Sequence, residues 1–426
     1  MNYFKRKSIF AISFFCIIII ALVYGFTFQV LKQIPQEYNI SVGDEHILNA
    51  HFPLSFSMTV DTESIIELTK LNQKRRIQNQ FELRTVDKGT AHLDLKILGF
   101  VPYRTIKVNV VPKLHLIPGG QSIGVKLNTE GVLVVGIAEI QDDNSINHNI
   151  AEANDIRIGD SLMYIDGKSI NDAGHVAELV QGSDGSEMKL TFKRNGNEFT
   201  KNINPVKAAE GETYRLGLWV RDKTAGVGTL TFYDPVSYKF GALGHGITDI
   251  DTGNLVAIRD GDMMKSRVIS VEQGQRGKPG EIRGVFHEMH NPIGRLEKNT
   301  AFGVYGELFS SLDSDLYNNP LPIAFQHEIQ QGPAQILTTT EDNEVNIYNI
   351  EIVRLNGQSK ADSKSLVIKV TDDTLLEKTG GIVQGMSGSP IIQNNKIVGA
   401  VTHVLVNDPT RGYGIYIEWM LEQTNY

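Results

Sequence analysis

From Tyr214 to Tyr426 no stretch of this chain keeps the apolar spacing of a long amphipathic helix, and that feature confines this half of it to architectures built mainly from strands. From Gln36 to Pro112 the sequence runs in short alternating segments. Examples are His92-Leu93-Asp94-Leu95-Lys96-Ile97 and Thr105-Ile106-Lys107-Val108-Asn109-Val110, broken by Gly and Pro. Alternation of this kind places every second side chain on one face of a half-buried strand, so a small β-sandwich acting as spacer or docking domain is expected over 33–113. Tyr214 to Tyr426 is again rich in short strands, glycine and turns, which fits a β-barrel class. With 426 residues and 41% hydrophobic content, the chain exceeds what one core usually fills, and two or three domains are expected.

The amino terminus is different. Lys5, Arg6 and Lys7 precede an uncharged apolar stretch from Ile9 to Phe28. That length matches a bilayer, and no small-residue cleavage site follows, so residues 1–32 are expected to be a basic cytoplasmic flank and a transmembrane signal anchor. The positive-inside rule then puts the rest of the chain across the membrane, outside the cytosol. The single cysteine, Cys16, lies in the apolar stretch behind Phe15, which does not suit lipidation. The exported part therefore has no disulfide, no thiol nucleophile and no cysteine-based zinc site. A formal net charge of −8 leaves no cationic excess for phosphates, so nucleic acid is not an expected partner. The run Lys74, Arg75, Arg76 reads as solvated surface.

Residues 114–208 contain Pro118-Gly119-Gly120, then Ser122-Ile123-Gly124-Val125, then the apolar strand Gly131 to Gly136. Asp155-Ile156-Arg157-Ile158-Gly159-Asp160 leads into Ser161 to Ile165 and an Asp166-Gly167 hairpin. A helix capped by Asn171 or Asp172 and running to about Gln181 would carry Ala173, Val176, Ala177 and Val180 on one face. The strand Met188 to Phe192 and an Asn195-Gly196 hairpin close the segment. This resembles bacterial PDZ domains. The resemblance implies that a peptide adds as a strand, its terminal carboxylate held by backbone N–H groups of Ser122, Ile123, Gly124 and Val125. His175 is either a ligand-selecting group or a surface histidine.

Chemistry concentrates in two glycine-flanked turns. In Gly385-Met386-Ser387-Gly388-Ser389-Pro390 the glycines let the backbone turn sharply, so that the Ser387 hydroxyl projects while N–H groups of Gly385 and Ser387 converge on a developing oxyanion. A serine hydroxyl needs a base, and Gly241-Ala242-Leu243-Gly244-His245-Gly246 supplies one in His245. The serine turn, the hairpin after it and the later Gly412-Tyr413-Gly414 resemble chymotrypsin-like proteases, which implies a double β-barrel with Thr402, His403 and Val404 walling a specificity pocket. His287-Glu288-x-His290 is one residue short of a zincin motif and runs into Pro292, so no metal site is expected there. No metal or organic cofactor is called for.

Together these segments, from Thr379-Gly380-Gly381 through Pro390 above all, resemble the SpoIVB peptidase family, signalling proteases of sporulation. The likeness covers the anchor, Ile117 to Leu127, Gly241 to Asp249, and Gly380 to Met420. It implies a serine peptidase domain over 209–426 with His245 as general base, Ser387 as nucleophile and Asp372 as the acid that orients the imidazole. Asp373, Asp249 and Asp251 are rival acids. It further implies export from the forespore, self-cleavage, release into the intermembrane space, and cutting of a membrane regulatory protein that restrains activation of a late mother-cell sigma factor. Two other readings stay open. One is a non-enzymatic PDZ adaptor; the other is a Ser-Lys protease using Lys396 or Lys378.

Overall fold

In a computed structural model, the structure describes residues 37–50, 56–71, 79–97, 99–211, 213–287, 291–312, 316–317 and 319–424. No helix among them is long and apolar enough to cross a membrane, which corrects the expectation of an N-terminal transmembrane helix as part of the fold. The segment that motivated it, together with Cys16, lies outside the described residues, as do Lys74 to Arg76 and most of the His287 to His290 motif.

The chain divides into two compact units, one reaching to Leu114 and including Gly357–Lys360, the other holding the remainder. The first is the expected small β domain. A four-stranded sheet in the order Glu37–Ser41, Val101–Val111, Gly89–Ile97, Phe56–Val60 and a three-stranded sheet of Glu45–Ala50, Asn79–Thr85 and Ile66–Leu71 share one core. Ile40, Leu93, Ile106 and Val108 from one sheet meet Ile66 and Leu83 from the other.

The second unit contains two six-stranded barrels. The first uses β1 (Ser122–Ile137), β2 (Leu218–Tyr233), β3 (Lys239–Ala242), β4 (Ile258–Glu272), β5 (Gly294–Thr300) and β6 (Gly303–Leu308). Each pairs with two others in the ring β1-β4-β5-β6-β3-β2, and β2 closes it by pairing with β1. Ile123, Val125, Leu127, Phe240, Met263, Leu296 and Val304 fill its interior, the alternate residues of their strands. The second barrel is a closed ring of β7 (Gly332–Glu341), β8 (Glu344–Leu355), β9 (Leu366–Val370), β12 (Arg411–Tyr416), β11 (Lys396–Val404) and β10 (Pro390–Gln393).

The PDZ-like module grows out of the first barrel. β1 and β2 continue past it as paired strands, and Ser161–Ile165, Met188–Arg194 and Asn197–Ile203 extend the sheet from β1. The expected helix forms as α1 (Ala173–Gly182), with Asp172 as its cap accepting the His175 N–H. Val176 and Val180 enter a core with Val132, Leu162 and Phe192.

The small β unit ends at Leu114, but the PDZ-like module and the peptidase barrel are not divided by a single boundary at 208/209. The first strand of the peptidase barrel, Ser122 to Thr129, lies inside the segment assigned to the PDZ domain, and the module is inserted between β1 and β2 of that barrel.

Candidate active site

The serine turn precedes β10. Gly385 and Gly388 both take left-handed φ, 98° and 97°. A Cβ on Gly388 would stand 2.0 Å from the Thr229 carbonyl oxygen and 2.5 Å from the Leu243 nitrogen, so only glycine lets the turn press against the first barrel. Thr229, buried on β2, then anchors it twice. Its N–H donates to the Ser387 carbonyl at 3.0 Å and its hydroxyl to the Gly385 carbonyl at 2.7 Å.

Within the turn, the Met386 N–H goes to Val383 and the Gly388 N–H to Val401. Among the described residues, nothing accepts the N–H of Gly385 or of Ser387. Two unpaired N–H groups flanking a serine on the wall of a cleft are the donors an oxyanion requires. The Ser387 hydroxyl itself donates to the Thr402 carbonyl at 2.8 Å.

The histidine turn leaves β3 through two successive left-handed residues, Leu243 at φ 71° and Gly244 at φ 70°. The strain at Leu243 is held by its buried side chain and by its N–H bond to Thr229, and it swings His245 out of the barrel. The imidazole Nδ1 lies 2.9 Å from the Gly246 carbonyl oxygen. A carbonyl only accepts, so Nδ1 carries the proton and Nε2 is the basic nitrogen. Asn299 on β5 fixes the next residue from both sides, accepting the Ile247 N–H and donating to the Ile247 and Val256 carbonyls.

His245 and Ser387 line one cleft of about 790 Å³ between the barrels, together with Gly385, Thr402, His403 and Val404. Ile247, Ile382, Val383 and Val406 make its walls largely apolar. The His403 ring lies 5.1 Å from that of His245 at a 38° tilt. Loss of surrounding water, then the charges of His245 and Lys364, push His403 down to about 4, although the residue as a whole is exposed.

Burial also lowers His245 from its ordinary 6.5, opposed by the bond to Gly246. A histidine acting as general base works unprotonated, so if His245 is that base, activity should rise with pH through this depressed pKa. The acid limb of kcat/KM is expected to have its midpoint below 6.5, measurable as a pH–rate profile.

The candidate acids are not brought to His245. Asp372 caps α2 (Asp373–Thr379), its carboxylate accepting the N–H of Leu375 and of Asn349, each at 3.2 Å. Asp249 is paired with Arg221 and Asp251 with the same guanidinium. Burial works against the Asp249 charge, but the Thr252 N–H and Arg221 outweigh it and hold the carboxyl below its usual range. The orienting acceptor in this structure is the Gly246 carbonyl. Asp372→Ala is therefore expected to reduce kcat less than about tenfold, where loss of an orienting aspartate costs ~10⁴. The lost helix cap should lower stability by about 1 kcal/mol, seen as a drop in Tm.

The lysines of the Ser-Lys alternative are likewise engaged elsewhere. Lys396 pairs with Glu328 at 2.6 Å and Lys378 with Glu341 at 2.9 Å, and neither lines the cleft.

Ser122, Ile123, Gly124 and Val125 are corrected as a peptide-binding loop. They pair with Thr229, Gly228, Val227 and Gly226 of β2, and Ile123 to Val125 pair with Lys265 to Met263 of β4, so both edges of the strand are occupied. The groove of the module lies elsewhere. A cavity of about 590 Å³ separates α1, through Val176, Ala177 and Val180, from Leu216, Leu218 and Trp219. Gly217 there has φ 68°, and a Cβ would meet the Ala138 carbonyl oxygen at 2.4 Å. Leu216-Gly217-Leu218 repeats the apolar-Gly-apolar pattern of Ile123-Gly124-Val125, which is the signal that could have located it.

The chain is similar in part to known proteins. Among solved structures, the active form of the Rv3671c protease from M. tuberculosis is 13% identical with a TM-score of 0.26, covering 47% of this chain and 73% of that one. The PDZ domain of the SdrC-like protein from Listeria monocytogenes is 18% identical with a TM-score of 0.18, covering 21% of this chain and 87% of that one. The model of the SpoIVB peptidase S55 family matches residues 212–421, a span holding both the histidine and the serine turn. Through those residues, just under half of its length, the chain matches the SpoIVB peptidase S55 family, and it is a serine peptidase.

Proposed function

We propose that the chain is a self-processing serine endopeptidase of sporulation that works outside the cytosol. In this reading it cuts its own N-terminal part and then a membrane regulatory protein, triggering activation of the late mother-cell sigma factor. The family match supports the sporulation role. The observation that carries the mechanism is the convergence of His245, the Ser387 hydroxyl and two unpaired N–H groups on one cleft.

The reaction would proceed as follows. Rotation about the Ser387 side chain exchanges the Thr402 carbonyl for His245 Nε2, which takes the proton as the oxygen attacks a peptide carbonyl. The Gly385 and Ser387 N–H groups receive the oxyanion, and the Gly246 carbonyl holds the imidazolium through Nδ1. His245 then protonates the leaving amine, and water releases the acyl group by the same steps reversed.

The groove between α1 and Leu216 to Trp219 has the apolar lining and flanking strand to receive a peptide of the substrate or of a second copy. The test follows the mass of the full chain and the hydrolysis of quenched peptides over time, comparing the native chain with Ser387→Ala. Trimming and hydrolysis confined to the native chain support the reading. Equal trimming of both assigns the cut to another protease.

A further inference from the structure

The groove and the cleft are joined by a strand whose register breaks between them. β2 passes the groove at Leu218 and ends inside the first barrel, and its pairing with β1 shifts between Trp219 and Val220 and again between Arg221 and Lys223. Breaks of this kind bend a strand and re-aim the side chain at the bend. Here that side chain is Arg221. Its guanidinium meets the carboxylates of Asp249 and Asp251, on the loop that begins at His245.

Asp249 is the fixed point of that loop. Its side chain is 1% exposed. Oδ1 accepts the N–H of Asp251 at 3.1 Å and of Thr252 at 2.9 Å, while its backbone closes the turn with Asn254 and Gly253. A buried carboxylate held this way dictates the path of the loop, and removal of its cation would leave an uncompensated charge.

The next residue of β2 faces the other way. Asp222 accepts the Ala173 N–H at 3.3 Å, at the start of α1. Both walls of the groove therefore converge on residues 221 and 222: α1 through Asp222, and Leu218 to Val220 through the chain itself.

We propose that Arg221 is a positioning residue for His245, and that through it a peptide seated against α1 and β2 alters the setting of the catalytic base. The proposal rests on the peptidase reading for its catalytic consequence, though not for its structural one.

The test uses the full chain carrying Arg221→Ala, Arg221→Lys or Asp249→Asn, with Ala177→Trp as a plug on the solvent-open wall that α1 gives the groove. Two quantities are read. One is kcat and KM on a quenched peptide that the native chain cuts; the other is amide hydrogen exchange of residues 245–256. Arg221→Ala and Asp249→Asn are expected to lower kcat at least tenfold with KM within twofold, and to speed exchange of 245–256 at least tenfold. Arg221→Lys should recover most of both, because an ammonium still reaches one carboxylate. Ala177→Trp should change exchange of 245–256 in the native background and leave it unchanged beside Arg221→Ala. Unaltered exchange in Arg221→Ala, or an equal effect of the plug in both backgrounds, overturns the proposal. If the native chain cuts no peptide while the exchange pattern holds, the peptidase reading fails and the linkage stands.

Discussion

Ser387→Ala is expected to lower peptide-bond hydrolysis on the order of a millionfold in kcat, leaving only the ~10³ to 10⁴ over water that an oxyanion site and binding supply without a nucleophile. The loss should be almost purely chemical. The hydroxyl makes one hydrogen bond, to the Thr402 carbonyl, at the edge of an open cleft where water can replace it. Stability should therefore move by less than about 1 kcal/mol. The readouts are the rate on a quenched peptide, the persistence of full-length chain, and an unchanged Tm. Retention of more than a tenth of the native rate would remove Ser387 from the mechanism.

The second large effect is expected from Gly388→Ala, and it has a different origin. The added methyl would meet the Thr229 carbonyl oxygen at 2.0 Å, in a residue whose φ of 97° already disfavours a side chain. Neither the turn nor the strand can yield cheaply, since the Thr229 N–H and hydroxyl hold the Ser387 and Gly385 carbonyls. Steric overlap and the φ penalty together should lower stability by about 3 kcal/mol or more. Any chain that still folds would have its oxyanion donors displaced, and a displacement near 1 Å costs about 10² in rate. Gly182→Ala is the matched control. Its Cβ has nothing within 4 Å and it lies at the end of α1, so it should be neutral or slightly stabilising. Tm and kcat of the two variants separate a steric requirement for glycine from a mere preference.

The parts of the site that were legible in the sequence are those where the backbone itself is unusual. Gly385 and Gly388 around Ser387, and Gly244 before His245, are glycines because of close approach or left-handed φ, and such needs leave a local mark. The helix over Ala173–Gly182 was legible for a similar reason, its cap and apolar face both being local.

What depends on distant pairing was not. Ser122 to Val125 and Leu216 to Leu218 present the same apolar-Gly-apolar pattern, and only the partners on each side decide which borders a groove. Asp372 follows the same logic. An aspartate ahead of a helix reads equally well as a cap or as a catalytic acid, and here its bonds to Leu375 and Asn349 make it a cap. Arg221, Thr229 and Asn299 carried no signal, because their partners Asp249, Ser387 and Ile247 are distant in sequence.

The insertion of a whole module between β1 and β2 bears on how this protein can acquire its fold. β1 must find Lys223 to Thr229 on one side and Ile258 to Lys265 on the other, across a long span of chain. Closing such a loop in an unstructured chain is entropically unfavourable and slow. A module that collapses early on its own core, with Val132, Val134, Leu162 and Phe192, would bring Val134 and Val220 side by side and leave the strands beyond them already aligned. It would then serve as a folding clamp for the first barrel. The serine turn, which leans on Thr229, would mature only after that barrel had closed, so the chain would emerge inert and gain its activity as the last step of its own assembly.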